Sequence, residues 1–451
     1  MKERFLLVRP YYGVNIHTDA QGEFGTVLHS RDVFPDLPLI NAATILNDSD
    51  DYSAVLLDAY VEGKILPDDL LQKISSVKFD KLIIKTAAAT IKSDLELARM
   101  IKDSIPGSYV MLAGQAVRTL KSWICKNTRV DEVIDEPLDK YIYRYVNGRE
   151  GTINDMPVPD YSLVDYKSYR DDNDKIRLTV LASRSCPLNC AYCPYIQYYN
   201  AYESRDVDKV MEDIRSLVAL GVDIIQFRDQ FFTCDKERIM DLCRRIISEG
   251  IKISWICETE LSSLDEELID LMKEAGLFLV CFDIKSGNKE ILGKYKSNIV
   301  DKAGQKKTVD MIRSKGVKTM AFYTIGFPED TWITLYETFK LAEYMDSDIV
   351  AFNEFTDFHL DGMEDMTPDV FCSFQNAGNS CMKMNLTHDE IRYAIELFSM
   401  KYTESHDSVE KAFAYNYTIT MDNKNVISKI AECECDLMEL SNRVRRIRGL
   451  E

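Results

Sequence analysis

The stretch Ser185-Cys186-Pro187-Leu188-Asn189-Cys190-Ala191-Tyr192-Cys193-Pro194 sets three cysteines at C-x3-C-x2-C spacing, directly after the apolar run 178–182. An apolar run of that length, bounded by turn residues, reads as a short buried strand, so the cysteines fall on the loop at its carboxyl end. Three thiolates on one loop can hold three irons of a cubane 4Fe-4S cluster and leave the fourth iron open. Clusters that only relay electrons usually take four cysteines. An open iron suits another task, the chelation of a small molecule and the delivery of an electron to it. Zinc is the rival reading, but structural zinc wants four ligands, usually in two separated pairs. No second pair lies nearby, and Cys234 and Cys243 fall in helical surroundings.

The chain around this loop alternates strand and helix patterns. Strands are expected at 178–182, 224–228, 253–257, 278–282, 319–323 and 349–352. Helices are expected after the first five, at 207–220, 236–248, 266–274, 302–314 and 332–344. Gly221, Gly250, Gly276 and Gly316 stand just past four of them, where a left-handed cap residue is wanted. Such alternation predicts an α/β fold with a parallel sheet and functional groups at the carboxyl ends of its strands.

The cysteine spacing, the aromatic Tyr192 before the last cysteine and the six strand–helix units together resemble the radical S-adenosylmethionine (SAM) superfamily. The resemblance implies a partial six-unit (β/α) barrel over 176–356. It implies a 4Fe-4S cluster on Cys186, Cys190 and Cys193, SAM gripped by the open iron through its amino and carboxylate groups, and Tyr192 against the adenine. The strand ends supply further candidates. Asp229, after the second strand, is the candidate acceptor for the SAM amino group or else a helix-capping aspartate. Glu258, Thr259 and Glu260 follow the third strand and face the same mouth. Asp283-Ile284-Lys285-Ser286-Gly287 follows the fourth, where many relatives read E-S-G; here Lys285 replaces the glutamate, and Asp283 or Ser286 is the candidate ribose contact. Ile325-Gly326-Phe327-Pro328-Glu329-Asp330-Thr331 looks like the family's I-G-x-P-x-x-T turn, with Gly326 allowing close approach of backbone to adenine. Thr331 is equally well a helix cap.

Residues 1–146 read as a Rossmann-like, doubly wound domain. Strands are expected at 5–8, 54–57, 82–84, 109–112 and 132–134, and helices at 38–46, 68–77, 94–105 and 116–124. Ser93 is placed to cap the third helix, and Pro106-Gly107 stops it. Ligands of such sheets lie at the carboxyl ends of strands. The loops there are Arg9-Pro10-Tyr11-Tyr12-Gly13, Thr86-Ala87-Ala88-Ala89-Thr90 and Ala113-Gly114-Gln115-Ala116. Their small and hydroxyl-bearing residues leave room for a bulky ligand. They resemble the cobalamin-binding domain found ahead of many radical SAM domains, which implies cobalamin against Pro10, Thr86, Ala87, Gly114 and Gln115. The D-x-H-x-x-G signature, whose histidine ligates cobalt from below, is absent; His17 and His29 read as surface or loop residues. A Rossmann-like scaffold without a cofactor is the alternative for this domain.

The acidic, two-proline stretch Asp155-Met156-Pro157-Val158-Pro159-Asp160-Tyr161 marks a linker over 147–175. Residues 357–451 are expected to form a mainly helical C-terminal substrate or lid region. In it, Thr387-His388-Asp389-Glu390 looks like a capping box opening a helix through 400, and 371–384 reads as a loop at the barrel mouth. His359 and His388 are candidate substrate contacts or ordinary loop residues.

A net charge of −19 over 451 residues argues against a nucleic-acid backbone as partner. No run of about 18 apolar residues exists, so no membrane span is expected, and the apolar start is too short for a secretory signal. Twelve cysteines without such a signal point to a reducing, cytoplasmic setting. Cys372 with Cys381, and Cys433 with Cys435, lack partners at cluster spacing; Arg443, Arg445, Arg446 and Arg448 read as a solvated helix end.

The resemblance implies reductive cleavage of SAM to a 5′-deoxyadenosyl radical that abstracts substrate hydrogen, most simply for methyl transfer to an unactivated carbon or phosphorus in specialised metabolism. A cyclase or rearrangement enzyme of the same architecture is an alternative, and so is a non-enzymatic iron–sulfur sensor or scaffold. The partners implied are a small-molecule or peptide substrate and an external one-electron reductant of flavodoxin or ferredoxin type.

Overall fold

The computed structural model describes residues 2–13, 15–17, 26–28, 33–171, 173–188, 190, 193–199, 201–295, 301–355, 366–369 and 384–405. Its first sheet is built from β1 (Glu3–Arg9), β4 (Tyr52–Asp58), β5 (Lys81–Lys85), β6 (Tyr109–Ala113) and β7 (Glu132–Ile134), and β2 (Asn15–His17) pairs with β3 (Thr26–Leu28) as a separate antiparallel ribbon. The sheet order is β4-β1-β5-β6-β7, parallel throughout. Near-continuous apolar runs such as Phe5, Leu6, Leu7 and Val8 are buried, as strands covered by helices on both faces require. Strand order reverses between β1 and β5, so the loops after them flank the crevice where a doubly wound sheet takes its ligand.

Two local expectations change. The helix foreseen at 94–105 is Ile91–Ser104, preceded by Thr90, so Ser93 lies inside it and caps nothing. The helix Leu138–Asn147 was not foreseen. Its buried face is narrow, chiefly Leu138, Ile142 and Tyr143, and its boundaries are marked only by Pro137 before it and left-handed Gly148 after it. The following segment is three 3-10 turns between Ile153 and Ser168. It ties both sheets: Asp160 N–H donates to Thr44 Oγ1 (3.0 Å), Tyr161 OH to the Thr179 carbonyl (3.0 Å), and Tyr169 OH to Asp58 Oδ2 (2.7 Å).

The second sheet contains β8 (Arg177–Val180), β11 (Ile224–Phe227), β12 (Ser254–Thr259), β13 (Leu277–Lys285), β14 (Lys318–Ile325) and β15 (Ile349–Glu354), while β9 (Ser183–Arg184) and β10 (Glu203–Ser204) form a short hairpin-like pair. Its order, β15-β14-β13-β12-β11-β8, follows the chain and is parallel throughout. The helices Lys236–Ser248, Glu266–Glu274 and Lys302–Ser314 fall where the periodicity places them. Asp235 and Asp265 cap the first two by accepting from the Arg238 and Leu268 amides. Gly276 takes φ +109, and a Cβ there would lie 2.0 Å from the Ile253 carbonyl oxygen, so only glycine lets the helix return so closely to the sheet.

One sheet face packs under the helices. The opposite face carries a separate apolar cluster of Ile224, Ile256, Leu279, Cys281, Met320 and Ala351. Period-two alternation puts the two sets on opposite faces. The tail contributes the helix His388–Ser405, whose Thr387 and Glu390 form the expected capping box. Among the described residues, no helix is long and apolar enough to cross a membrane.

Candidate active site

The cysteine loop leaves β9 through Ser185, which is buried and held at φ +65. A left-handed non-glycine residue costs about 1–2 kcal/mol, and here it turns the chain sharply into Cys186. Inside the loop, Leu188 N–H donates to Cys186 Sγ (3.4 Å) and Cys193 N–H to the Cys190 carbonyl (3.2 Å). None of the three cysteines is in a disulfide, and all are partly exposed. Burial pushes the Cys186 thiol up to about 12, and the neighbouring Cys193 and Cys190 add to the rise. Thiols that oppose one another's ionisation in this way are relieved by a bound cation, which takes the thiolate form. Among the described residues, no three His, Cys, Asp or Glu side chains converge as ligands of a single ion would. Thiolates that each hold a different iron have no need to converge so closely. Tyr192 lies outside the described residues, as do His29, His359 and 371–383.

Asp229 follows β11 and is fully buried. It accepts from the Ala182 amide (3.1 Å) and the Ser183 hydroxyl (2.5 Å), and so pins the base of the cysteine loop. Burial holds its carboxyl up at about 6 against those hydrogen bonds. It does not cap the next helix; Asp235 does.

Around the mouth, β13 bulges between Asp283 and Lys285, and Lys285 takes φ +66. Its ammonium lies 3.8 Å from Asp283 Oδ2 and 4.0 Å from Glu260 Oε1. Ser286 is buried and accepts from the Asn288 amide (3.1 Å), while Gly287 N–H donates to Thr338 Oγ1 (2.9 Å). Gly326 and Phe327 amides both donate to Asp330 Oδ2 (2.8 and 2.9 Å). A Cβ on Gly326 would come 2.9 Å from the Ile391 side chain, so the backbone there closely approaches the helix His388–Ser405. Thr331 caps the helix Trp332–Met345. At the end of β15, Glu354 lies 2.7 Å from His388 Nδ1.

Glu258 faces the inner side of β12 and acts with burial to raise the Cys281 thiol, which Arg228 and Arg177 oppose. Both guanidinium groups lie over the Phe34 ring, at 4.9 and 4.5 Å from its centroid. Sequence reasoning missed this contact, because nothing local marks Phe34 as reaching into the second sheet.

The carboxyl edge of the first sheet is closely built. Thr86 donates through its amide and its hydroxyl to the Ala113 carbonyl (2.8 and 3.0 Å). Gly114 takes φ +135, and a Cβ there would meet the Thr86 carbonyl oxygen at 2.6 Å and Oγ1 at 2.7 Å. Gly114→Ala therefore forces the β5 and β6 loops apart. The expected loss is about 2 kcal/mol or more, read as a lower Tm; an unchanged Tm would contradict this packing. Pro10 is buried beside Arg9, which donates to the Phe34 carbonyl (2.7 Å) and pairs with Asp58 (3.1 Å). Ala87 lies in the turn closed by Thr90 N–H to the Ala87 carbonyl (3.0 Å).

Asp94 is wholly buried behind that turn and accepts from Tyr12 OH (2.7 Å) and Thr90 Oγ1 (2.8 Å). Burial pushes its carboxyl up to about 7. The folded chain therefore keeps a proton that the unfolded chain releases near its ordinary value of 3.8. This contribution is fully present below that value and is lost as pH rises through about 7. Asp94→Asn removes the dependence: between pH 5 and 8 the native protein should lose on the order of a few kcal/mol relative to the variant. Urea unfolding of both at the two pH values checks this, and parallel stabilities would contradict it.

The two halves meet at the cysteine loop. Arg184, immediately before Ser185, forms a buried ion pair with Asp139, which follows β7. Tyr198 OH donates to the Glu136 carbonyl (3.1 Å), and Lys140 pairs with Glu203. The loop is thus seated on the carboxyl edge of the first sheet.

Comparison with known proteins agrees with this arrangement. Residues 180–342 match the model of the Radical SAM superfamily. An uncharacterized methyltransferase of Pyrococcus horikoshii is 29% identical over 205 residues, 44% of this chain and 44% of that protein. An anaerobic magnesium-protoporphyrin IX monomethyl ester cyclase of Cereibacter sphaeroides is 25% identical over 208 residues, 44% of this chain and 33% of that enzyme. The chain thus spans less than half the length of either relative. Among solved structures, the radical SAM methyltransferase TsrM of Kitasatospora setae, with cobalamin and a [4Fe-4S] cluster bound, superposes with a TM-score of 0.60 at 16% identity, over 78% of this chain and 75% of that one. That likeness shows the fold: a parallel Rossmann-like sheet followed by the radical SAM sheet.

Proposed function

Residues 180–342 form a radical SAM domain, and from that premise we propose that the chain is a cobalamin-dependent radical SAM enzyme. Its reaction, in this reading, is methyl transfer to an unactivated carbon or phosphorus of a small molecule or peptide. The observation that carries it is the seating of the three-cysteine loop, through Arg184 and Asp139, on the carboxyl edge of a doubly wound sheet. A ligand at that edge would stand beside whatever the cysteines hold.

When bound, the cluster and SAM supply a carbon-centred radical that removes substrate hydrogen, and cobalamin supplies the methyl group. The chain's own residues fit these tasks. Cys186, Cys190 and Cys193 would hold the cluster, and Asp229 fixes the base of their loop. Glu258, Glu260 and Asp283 would offer carboxylates to an ammonium group, and the turn at Gly326 is locked by Asp330. Pro10, Thr86, Ala87, Gly114 and Gln115 would hold the corrinoid. Gly114 lets the β5 and β6 loops close on one another, and Gln115 Oε1 is buried with no hydrogen-bond partner among the described residues, as an acceptor awaiting an amide-bearing ligand would be. The apolar inner face of the second sheet keeps water from the reacting carbon. The electron would come from a flavodoxin- or ferredoxin-type donor.

The test is anaerobic reconstitution with iron and sulfide, then SAM and dithionite, with chromatography for 5′-deoxyadenosine. Its formation supports the reading; its absence from a fully loaded protein overturns it in favour of an iron–sulfur sensor. Retention of hydroxocobalamin absorbance through gel filtration tests the methyl-transfer part separately. The cyclase relative favours one second reading, ring closure by the same radical.

A further inference from the structure

Asp94 is a wholly buried carboxyl group for which the proposed reaction has no use, and its partners show where it stands. Tyr12 lies in the loop that leaves β1, and its hydroxyl donates to Asp94 Oδ1 (2.7 Å). Thr90 lies in the loop that leaves β5; its hydroxyl donates to Asp94 Oδ2 (2.8 Å) and accepts from the Ala87 amide (3.3 Å). These two loops flank the break in strand order. The Tyr12–Asp94 hydrogen bond therefore spans the crevice in which a doubly wound sheet takes its ligand. It ties the loop of Pro10 to the loop of Thr86 and Ala87. A pair that only stapled two loops could be apolar, with less desolvation to overcome. Asp94 is fully buried whereas Tyr12 is half-buried, so the phenol is the end of the pair that a ligand in the crevice can reach.

We propose that the Tyr12 hydroxyl, oriented by Asp94 across the crevice between the β1 and β5 loops, is the group this chain offers to the cobalt of a bound corrinoid on the face turned toward the first sheet. This rests on the cobalamin part of the function proposed above. A corrin ring fills the equatorial positions of its cobalt and leaves one position open on each face. The methyl group has to be carried on the face toward the cysteine loop, which is seated on this same edge through Arg184 and Asp139. The other face then meets the loops of the first sheet, where the histidine of the D-x-H-x-x-G signature is absent. Ala87, Ala88 and Gly114 have no side-chain donor atom to put there. Thr86 spends its hydroxyl on the Ala113 carbonyl, and Gln115 follows β6, one strand away from the break. A phenol that donates its proton to a carboxylate presents a more electron-rich oxygen, and such outer partners fix the direction of a metal ligand.

The test loads wild type, Tyr12→Phe, Tyr12→His and Asp94→Asn with hydroxocobalamin, passes each through gel filtration, reduces the cobalt to cob(II)alamin with titanium(III) citrate and records EPR. Wild type should give the unsplit cobalt lines of an axial oxygen ligand. Tyr12→Phe should keep the corrinoid and move to the spectrum of four-coordinate cobalt, and Asp94→Asn should move part of the way. Tyr12→His should split each line through its ring nitrogen. Nitrogen-15 labelling of the protein should change that splitting, which separates it from the cofactor's own base. Nitrogen splitting in wild type would overturn the inference. So would one spectrum shared by wild type and Tyr12→Phe, since the pair would then be a staple between loops, seen only as a lower Tm. Should Tyr12→Phe lose the corrinoid, the other two variants decide: splitting that follows the label, or a shifted Asp94→Asn spectrum, supports the account, and the absence of both contradicts it. Loss of corrinoid from wild type would count against the proposed function itself, which keeps the two failures apart.

Discussion

Cys190→Ala should abolish the proposed SAM cleavage and leave the proposed cluster site empty. Two thiolates cannot replace three at a cubane; of the other described cysteines, Cys243, Cys257 and Cys281 are buried, Cys125 is on the surface, and Cys234 is half-buried against Tyr202. Reconstituted wild type should carry about four irons per chain, and the variant close to none. 5′-Deoxyadenosine should fall to the level of free cluster in buffer. Cys125→Ala is the control and should behave as wild type in both measurements. The alanine variant should still fold, because the Cys190 side chain lies partly exposed. Iron retained at the wild-type level would mean that the ligands lie elsewhere.

The second large effect is predicted at a distance from the cysteines. Asp139→Ala leaves the Arg184 guanidinium buried without its carboxylate partner. Breaking one side of such a pair costs about 3–5 kcal/mol, far more than a surface pair would. Two of the guanidinium nitrogens, Nε and Nη1, have no hydrogen-bond partner among the described residues, so Asp139 is its principal polar support. Since Arg184 sits one residue before the left-handed Ser185, the loss should also loosen the cysteine loop. The measurements are urea unfolding and iron retention under a chelator, and both should fall. Replacing both residues with apolar ones, Asp139→Leu with Arg184→Met, should recover most of the stability but not the placement of the loop. A small change in both quantities on Asp139→Ala would mean that the pair is not what seats the loop.

Much of the frame was legible because its signals are local. The helix Lys236–Ser248 carries an apolar stripe, an aspartate cap before it and a glycine just beyond it, and each can be read within a few residues. The same holds for Glu266–Glu274 and for the alternating strands between them. The helix Leu138–Asn147 escaped because its stripe is narrow and it runs directly into an irregular segment. At the site, the cysteine spacing could be read, but the setting of those cysteines could not. In sequence Asp229 reads as an acceptor for the SAM amino group or as a helix cap; in the fold its oxygens accept from Ala182 and Ser183, 47 and 46 residues away. Arg184 with Asp139, and Phe34 beneath Arg177 and Arg228, are likewise long-range pairings that leave no mark in neighbouring residues. Lys285 showed only as a departure from a pattern; its two carboxylate partners come from the folded mouth.

The most direct test of the account is EPR of the reduced, reconstituted protein with SAM isotopically labelled in its amino and carboxylate groups. The account predicts a changed cluster signal on adding SAM and hyperfine coupling from both labels, because that amino acid end binds the open iron. A spectrum unchanged by SAM, with no coupling from either label, would contradict it.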